Sequence, residues 1–311
     1  MGPARDPGRT VTWLSGTVVA VTGASGFCGG WVARAASAAG ARVVCLGRRP
    51  GPVGELRPWD ATAGASDLSE VDVVIHLAAA VGDPGAGPAT ERRFHAVNVT
   101  GGARLLDEAH GRPVVWMSSA SVYNPRVSRH SVGEDHPVGG GLNAYARTKA
   151  AGDLLARQAG AVVLRPHAVY GPGDAHLLPR LQRAVRRGVA VLPGRDVQLS
   201  VTAVQNLADA CLAALRWPAG AYNIADAEPQ SRDTLVRTAL AAAGTPVRVR
   251  HVPAGIAGAA AAVAARLPIR DPLLTAYAVD QLSHDIVLDT TKARSLGWQP
   301  TRTVEDYLAL R

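Results

Sequence analysis

The sequence predicts an α/β fold, a doubly wound parallel sheet with a smaller, discontinuous lobe contributed by the later part of the chain. Three features carry this. Short apolar runs alternate with amphipathic stretches through the first half, a glycine-rich turn follows the first run directly, and the alternation loosens after Pro166. Wholly apolar runs bounded by turn formers are typical of strands buried on both faces, as parallel strands joined by crossover helices are.

The predicted strands, in order, are "TVVAVTG" (17–23), "ARVVCLG" (41–47), "VDVVIHLA" (71–78), "PVVWMSS" (113–119) and "AVVLRP" (161–166), with helices near 29–39, 92–110 and 143–158. Beyond them, "YGPGD" reads as a loop and "LLPRLQRAVRRG" as a helix, followed by a Pro/Ala/Gly-rich stretch from about 245 to 285. The runs "VQLSVTAVQNLADACLAAL" and "GAYNIAD" are expected to return to the main sheet. The division that follows is a dinucleotide-binding domain of residues 16–166, 197–226 and 285–311, and a substrate lobe of 167–196 and 227–284.

Composition narrows the partners. Of 311 residues 47% are hydrophobic and 19% charged, values of an ordinary globule. The formal charge of +8 comes from scattered arginines without an aromatic-interleaved basic run, which points to a basic surface and away from nucleic acid. The opening lacks a signal-like apolar run, and the alanine-rich 255–267 is too short to span a bilayer, so it is read as a helix packed on protein and no membrane partner is expected. Cys28, Cys45 and Cys211 sit in apolar contexts without metal spacing, and the nine histidines show no paired spacing. These features imply small core cysteines, no metal and a cytoplasmic protein.

Gly23, Gly26 and Gly29 end the first strand and open a helix, where absent side chains let backbone amides approach a pyrophosphate. Their spacing is GxxGxxG, which differs from the GxGxxG of familiar dehydrogenases. A second feature is Lys149, one of only two lysines beside many arginines. On a helix it stands one turn from Tyr145, where an ammonium would favour the phenolate and lower the tyrosine pKa. Ser118 and Ser119 end a strand, so a serine hydroxyl there can hold a substrate oxygen beside Tyr145. Finally, Gly47 ends the second strand where an aspartate would select NAD, and Arg48 and Arg49 follow; two guanidiniums there favour the 2′-phosphate of NADP(H).

Taken in order, "TGASGFCG", "HLAAAVG" at the third-strand end, "VNVTG", "SSASVY", "YARTK" and "LRPHAVYGPGD" resemble the extended short-chain dehydrogenase/reductases across nearly the whole chain after residue 16. The resemblance is nearest to the 3β-hydroxysteroid dehydrogenase-like branch. It implies a Rossmann-type domain, a nicotinamide cofactor and a catalytic set of Ser119, Tyr145 and Lys149. It also places cofactor contacts at Gly23, Ser25, Gly26, Phe27, Gly29, Asp60, Ala78, Ala79, Ala80, Asn98, Tyr145, Lys149, Pro166 and His167. His167 is also open to readings from the residues alone: facing substrate, packed or facing solvent. Family resemblance further implies a homodimer through the helices near 92–110 and 143–158.

Departures from the family narrow the chemistry. The acidic pair of sugar-nucleotide dehydratases is replaced by Ala120 and Ser121, and Ala168 stands where many nucleotide-sugar epimerases have asparagine. The expected activity is therefore an NAD(P)(H)-dependent interconversion of a secondary alcohol and a ketone on a small, fairly apolar or natural-product-like substrate. A nucleotide-sugar epimerase and a non-catalytic nicotinamide sensor are the alternatives.

Overall fold

The computed structural model describes residues 13–83, 85–174, 177–267 and 272–309. Its centre is a seven-stranded parallel sheet. The first half supplies β1 (Val18–Thr22), α1 (Phe27–Ala38), β2 (Arg42–Gly47), β3 (Glu55–Pro58), β4 (Val73–His76), α2 (Pro88–His95), α3 (Gly102–Glu108), β5 (Val114–Met117), α4 (Ala144–Gln158) and β6 (Val162–Pro166). The later half adds β7 (Val169–Tyr170), α5 (Leu177–Ala184), β8 (Val185–Arg186), β9 (Val189–Pro193), β10 (Gln198–Leu199), β11 (Thr202–Ala203) and α6 (Val204–Ala213). It closes with β12 (Gly220–Ile224), β13 (Gln230–Ser231), α7 (Arg232–Ala242), β14 (Arg248–Val252), α8 (Ala254–Ala264), α9 (Ala276–Ser283), α10 (Thr291–Ser295) and α11 (Val304–Ala309).

The strand order β12-β6-β5-β4-β1-β2-β3 reverses between β1 and β4, and ligands of open α/β sheets bind beyond the strand ends at such a reversal. Two apolar clusters sandwich the sheet: one joins α1 and α6 to it through Val32, Ala36, Leu207 and Cys211, the other carries Leu105, Trp116 and Ala156. Gly102 and Gly152 let α3 and α4 close on the Trp116 ring, since a Cβ on either would lie 2.4 or 3.1 Å from it. Between α2 and α3 the chain passes through a π-helical segment, Ala96–Gly101.

Two expectations change. "HLAAAVG" follows the fourth strand, because Glu55–Pro58 forms a further strand, largely exposed at the sheet edge and too polar to read as a buried run. Of the two runs expected to rejoin the sheet, only "GAYNIAD" does so, as β12 beside β6. The other gives β10 and β11, two-residue strands paired with β13 and β7, and then α6 packed on α1; its period is that of a buried helix. A separate small sheet, β14-β9-β8, stands in the later part of the chain. No helix among the described residues is long and apolar enough to cross a membrane.

Candidate active site

The switch point is built by close backbone approach. Gly23 has φ +71°, and a Cβ on it would lie 2.9 Å from the Ala78 amide nitrogen. At Gly29 a Cβ would fall 2.2 Å from the Gly23 carbonyl oxygen, so α1 can start here only with glycine. Gly26 caps α1 in extended conformation, with Ser25 exposed and Phe27 half-buried next to it. The Thr22 hydroxyl at the end of β1 accepts from the amides of Leu77 and Ala78 at 3.0 and 2.9 Å and lies 2.9 Å from Nδ1 of His76. Burial, with the charge of Lys149 adding to it, pushes His76 down to about 3, so it stands neutral. From the other side, the Trp31 indole donates to Pro172 O at 3.1 Å and draws "YGPGD" over the start of α1. The amides of Gly23 and Gly26 are taken by Leu46 O and Gly23 O, but the absent side chains leave space and the first turn of α1, which no side chain caps, is open to a dinucleotide pyrophosphate, so the residues present fit the cofactor.

Asn98 works beneath this cradle. Its carboxamide accepts from the Ala80 amide at 2.7 Å and donates to Ala80 O and to the Thr148 hydroxyl, both at 3.0 Å. It thereby fixes the loop of Ala78, Ala79 and Ala80 to α4. On the outer edge, Arg48 is exposed, with Nη1 3.9 Å from an Asp60 carboxylate oxygen. Asp60 accepts from the Thr62 hydroxyl and amide at 2.7 and 2.8 Å, and those bonds lower its pKa. Arg49 is also exposed.

Helix α4 brings Tyr145 and Lys149 to the ends of β4 and β5. Asn143 caps it, accepting from the Ala146 amide at 2.8 Å. The Lys149 ammonium is buried and donates to Met117 O, the last residue of β5. Burial pushes Lys149 down to about 8, while the Asp153 carboxylate acts in the opposite direction. The Tyr145 phenol departs from the sequence expectation. Burial raises its pKa, with Cys28 adding to the rise, and the hydroxyls of Ser119 and Ser121 pull it part of the way back; Lys149 is held to a strand-end carbonyl. Ser119 caps a short turn after β5, accepting from Ser121 N at 3.2 Å. The neighbouring Ser118 faces the other way and donates to Asp153 at 2.7 Å.

Asp153 anchors α4 from behind. Arg165 on β6 grips it with two bonds of 2.8 and 2.7 Å, and Arg157 adds a third of 2.9 Å. Burial alone would raise this carboxyl, but the guanidiniums hold it below its ordinary range.

Several site residues escaped the sequence. Ser121 is buried with no full hydrogen bond of its own, yet its hydroxyl lies beside two phenols, those of Tyr145 and of Tyr277 on α9. Burial and the neighbouring Tyr145 raise the Tyr277 pKa. A small pocket next to them includes Arg129 and Asp280, paired at 2.8 Å. No spacing in the sequence ties position 277 to 145; only the hydroxyl-rich "SSAS" gave a signal, for Ser121. Of the readings for His167, the structure supports packing: the side chain is buried, Nδ1 lies 2.6 Å from Ser200 O, Nε2 faces Gln281, and burial lowers its pKa. Pro166 ends β6 beside Ile224. Burial pushes Cys28 up to about 12, an unreactive thiol that packs.

A glycine cradle at the switch point of a doubly wound parallel sheet is that of a nicotinamide-dependent oxidoreductase of the extended short-chain type. The chain belongs to the NAD dependent epimerase/dehydratase family, whose model matches residues 19–225. It is similar to 2-alkyl-3-oxoalkanoate reductases of Stenotrophomonas maltophilia (31% identical, covering 93% of this chain and 97% of the relative) and Shewanella oneidensis (28%, 92% and 83%). A solved short-chain dehydrogenase/reductase superfamily protein from Agrobacterium tumefaciens with bound NAD shares its fold, with TM-score 0.74 and 23% identity over 94% of this chain and 95% of that one.

Proposed function

We propose that this protein interconverts a secondary alcohol and a ketone on an apolar substrate carrying an alkyl or ring system, with NADP(H) preferred. The observation that carries the reading is the convergence of Ser119, Ser121, Tyr145 and Tyr277 beside the glycine cradle. The bound cofactor supplies or takes the hydride at the substrate carbon. Residues of the cradle and Lys149 would hold it, with Lys149 reaching the ribose from its place at Met117 O. In the reducing direction Ser119 positions the ketone oxygen and Tyr145 donates its phenolic proton; in the oxidising direction the same phenolate takes the proton from the alcohol. The raised pKa of Tyr145 keeps that proton in place for reduction.

Three features support an apolar substrate. Ala168 holds φ +42° where asparagine would sit more easily, the dehydratase acid positions are Ala120 and Ser121, and relatives at up to 31% identity reduce 2-alkyl-3-oxoalkanoates by name. Residues 167–196 and 227–284 would form the substrate lobe, and α2–α3 with α4, where Leu154 is exposed, the face between two copies. The preference for NADP(H) rests on Gly47, Arg48 and Arg49. The test is to follow the reduced-nicotinamide absorbance of purified protein with NADPH, offering 2-alkyl-3-oxo acids and polycyclic ketones. Turnover that disappears in Tyr145→Phe supports the reading. Thermal stabilisation by uridine or thymidine diphosphate without ketone turnover would replace it with sugar epimerisation.

A further inference from the structure

The four most exposed large aliphatic side chains among the described residues are Val191, Ile256, Val263 and Leu267, at 54–63%. Val191 belongs to the small sheet β14-β9-β8, Ile256 and Val263 to the helix that follows it, and Leu267 to the turn after that helix. Alternation along β14 sorts its faces. Val249 packs with Val236 and Leu240 of α7, and His251 bonds Asp233 of α7, so these two point one way. Val252 packs with Ala257 and Ala261 of α8 and Val279 of α9, so Arg248 and Arg250, four and two residues earlier, point the other way, toward α8. Val191 is the register partner of Arg250 and shares its face. On α8, Ile256 and Val263 lie seven residues apart on one stripe flanking the buried Ala257 and Ala261, and the exposed Leu267 follows three residues past the helix end.

Charge identifies what covers this face. Residues 234–267 contain four arginines and no Asp or Glu. Arg248, Arg250 and Arg266 are exposed, with no carboxylate partner among the described residues. Protruding aliphatics beside unpaired guanidiniums match an interfacial surface, with the aliphatics entering the acyl boundary while the arginines meet headgroup phosphates. A second copy fits poorly, because an isologous contact would set arginines against arginines with no acid between them. We propose that this face docks peripherally on an anionic lipid bilayer. Such docking would revise the expectation of no membrane partner. The docked helix α8 packs on α9, which carries Tyr277 beside Tyr145, so the surface lies one helix from the site. This inference stands independently of the proposed ketone chemistry.

Flotation of the full chain with vesicles tests it, comparing phosphatidylglycerol/phosphatidylcholine mixtures with phosphatidylcholine alone. The expected result is at least roughly tenfold greater partition onto the anionic vesicles, falling as salt is raised. An Ile256→Ser/Val263→Ser variant should lose most of that partition with its melting temperature unchanged, and Arg248→Ser/Arg250→Ser should fall to the phosphatidylcholine level. The proposal is overturned if wild type binds neither vesicle or both equally, or if the aliphatic variant binds as wild type. It is also overturned if that variant only breaks an oligomer of a chain that never floats.

Discussion

Tyr145 stands between two regions that reach precision by different means. On the cofactor side, backbone meets backbone: Gly29 against Gly23 and Gly23 against Ala78, with Thr22 stitching the loops together. On the side of the proposed substrate lobe, polar side chains do the positioning. Asp83 accepts from Asn143 at 2.9 Å and from the Thr275 hydroxyl, and pairs with Arg180 at 3.3 Å, joining α4, α5 and α9. Backbone contact admits almost no variation, whereas a side-chain clasp can be rebuilt one residue at a time. Under the proposed function, the cofactor and the substrate place those two demands on the two sides.

The largest effect should come from the residues between the regions. Tyr145→Phe and Lys149→Met are each expected to slow the chemical step by roughly 100-fold or more, with combined effects far from additive. Single-turnover kinetics with saturating cofactor measures this. The lysine adds an effect of opposite sign on stability. Its folded pKa, about 8, lies below its ordinary value, so the folded state disfavours the charged form. That cost is fully present below pH 8, and shrinks as pH rises from 8 toward the unfolded value. Lys149→Met should therefore raise stability at pH 7 by ~1–2 kcal/mol, the ~3 kcal/mol penalty less the lost bond to Met117 O. Urea melts at pH 7 and pH 10 check it, with the gain smaller at pH 10. Lys149→Arg keeps the charge but not its shape, and turnover equal to wild type would show that shape is irrelevant.

Next in size is the outer edge of the cofactor side. Arg48→Ala should weaken NADPH binding by ~1.5–3 kcal/mol and leave NADH nearly unchanged, since a guanidinium exposed on one face of the cradle has only the 2′-phosphate to gain. Calorimetric titration of both cofactors decides it, and wild-type preference for NADH would remove the assignment.

The same division explains what could be read in advance. The parallel strands and glycine cradle were legible because continuous apolar runs and a strand–glycine–helix junction are local patterns. The placement of Tyr145 and Lys149 on one helix was legible because one helical turn joins them. Tyr277, Asp83 and the Arg129–Asp280 pair were not, because their neighbours lie far along the chain and no local pattern marks their contacts. The expected lowering of the Tyr145 pKa failed for a related reason: helical spacing places Lys149 on the right face but says nothing of burial or of the Met117 carbonyl that holds it. The two-residue strands β10 and β11 lacked enough length to show a period.

The smallest effect tests the clasp itself. Asp83 is buried, and each of its three partners donates to it, so Asp83→Asn keeps the volume but turns one acceptor into a donor facing other donors. Arg180 loses its carboxylate, and Thr275, the cap of the helix carrying Tyr277, loses an acceptor. Asn143 keeps its capping bond to Ala146, so Tyr145 stays in place while Tyr277 loosens. The expected outcome is a KM for the ketone raised by roughly 3- to 10-fold, the worth of about one hydrogen bond, with kcat little changed and cofactor affinity untouched. Steady-state kinetics alongside cofactor titration separates the two sides. If Asp83→Asn weakened NADPH binding as much as ketone binding, the regions would be one coupled unit and the division drawn at Tyr145 would fail.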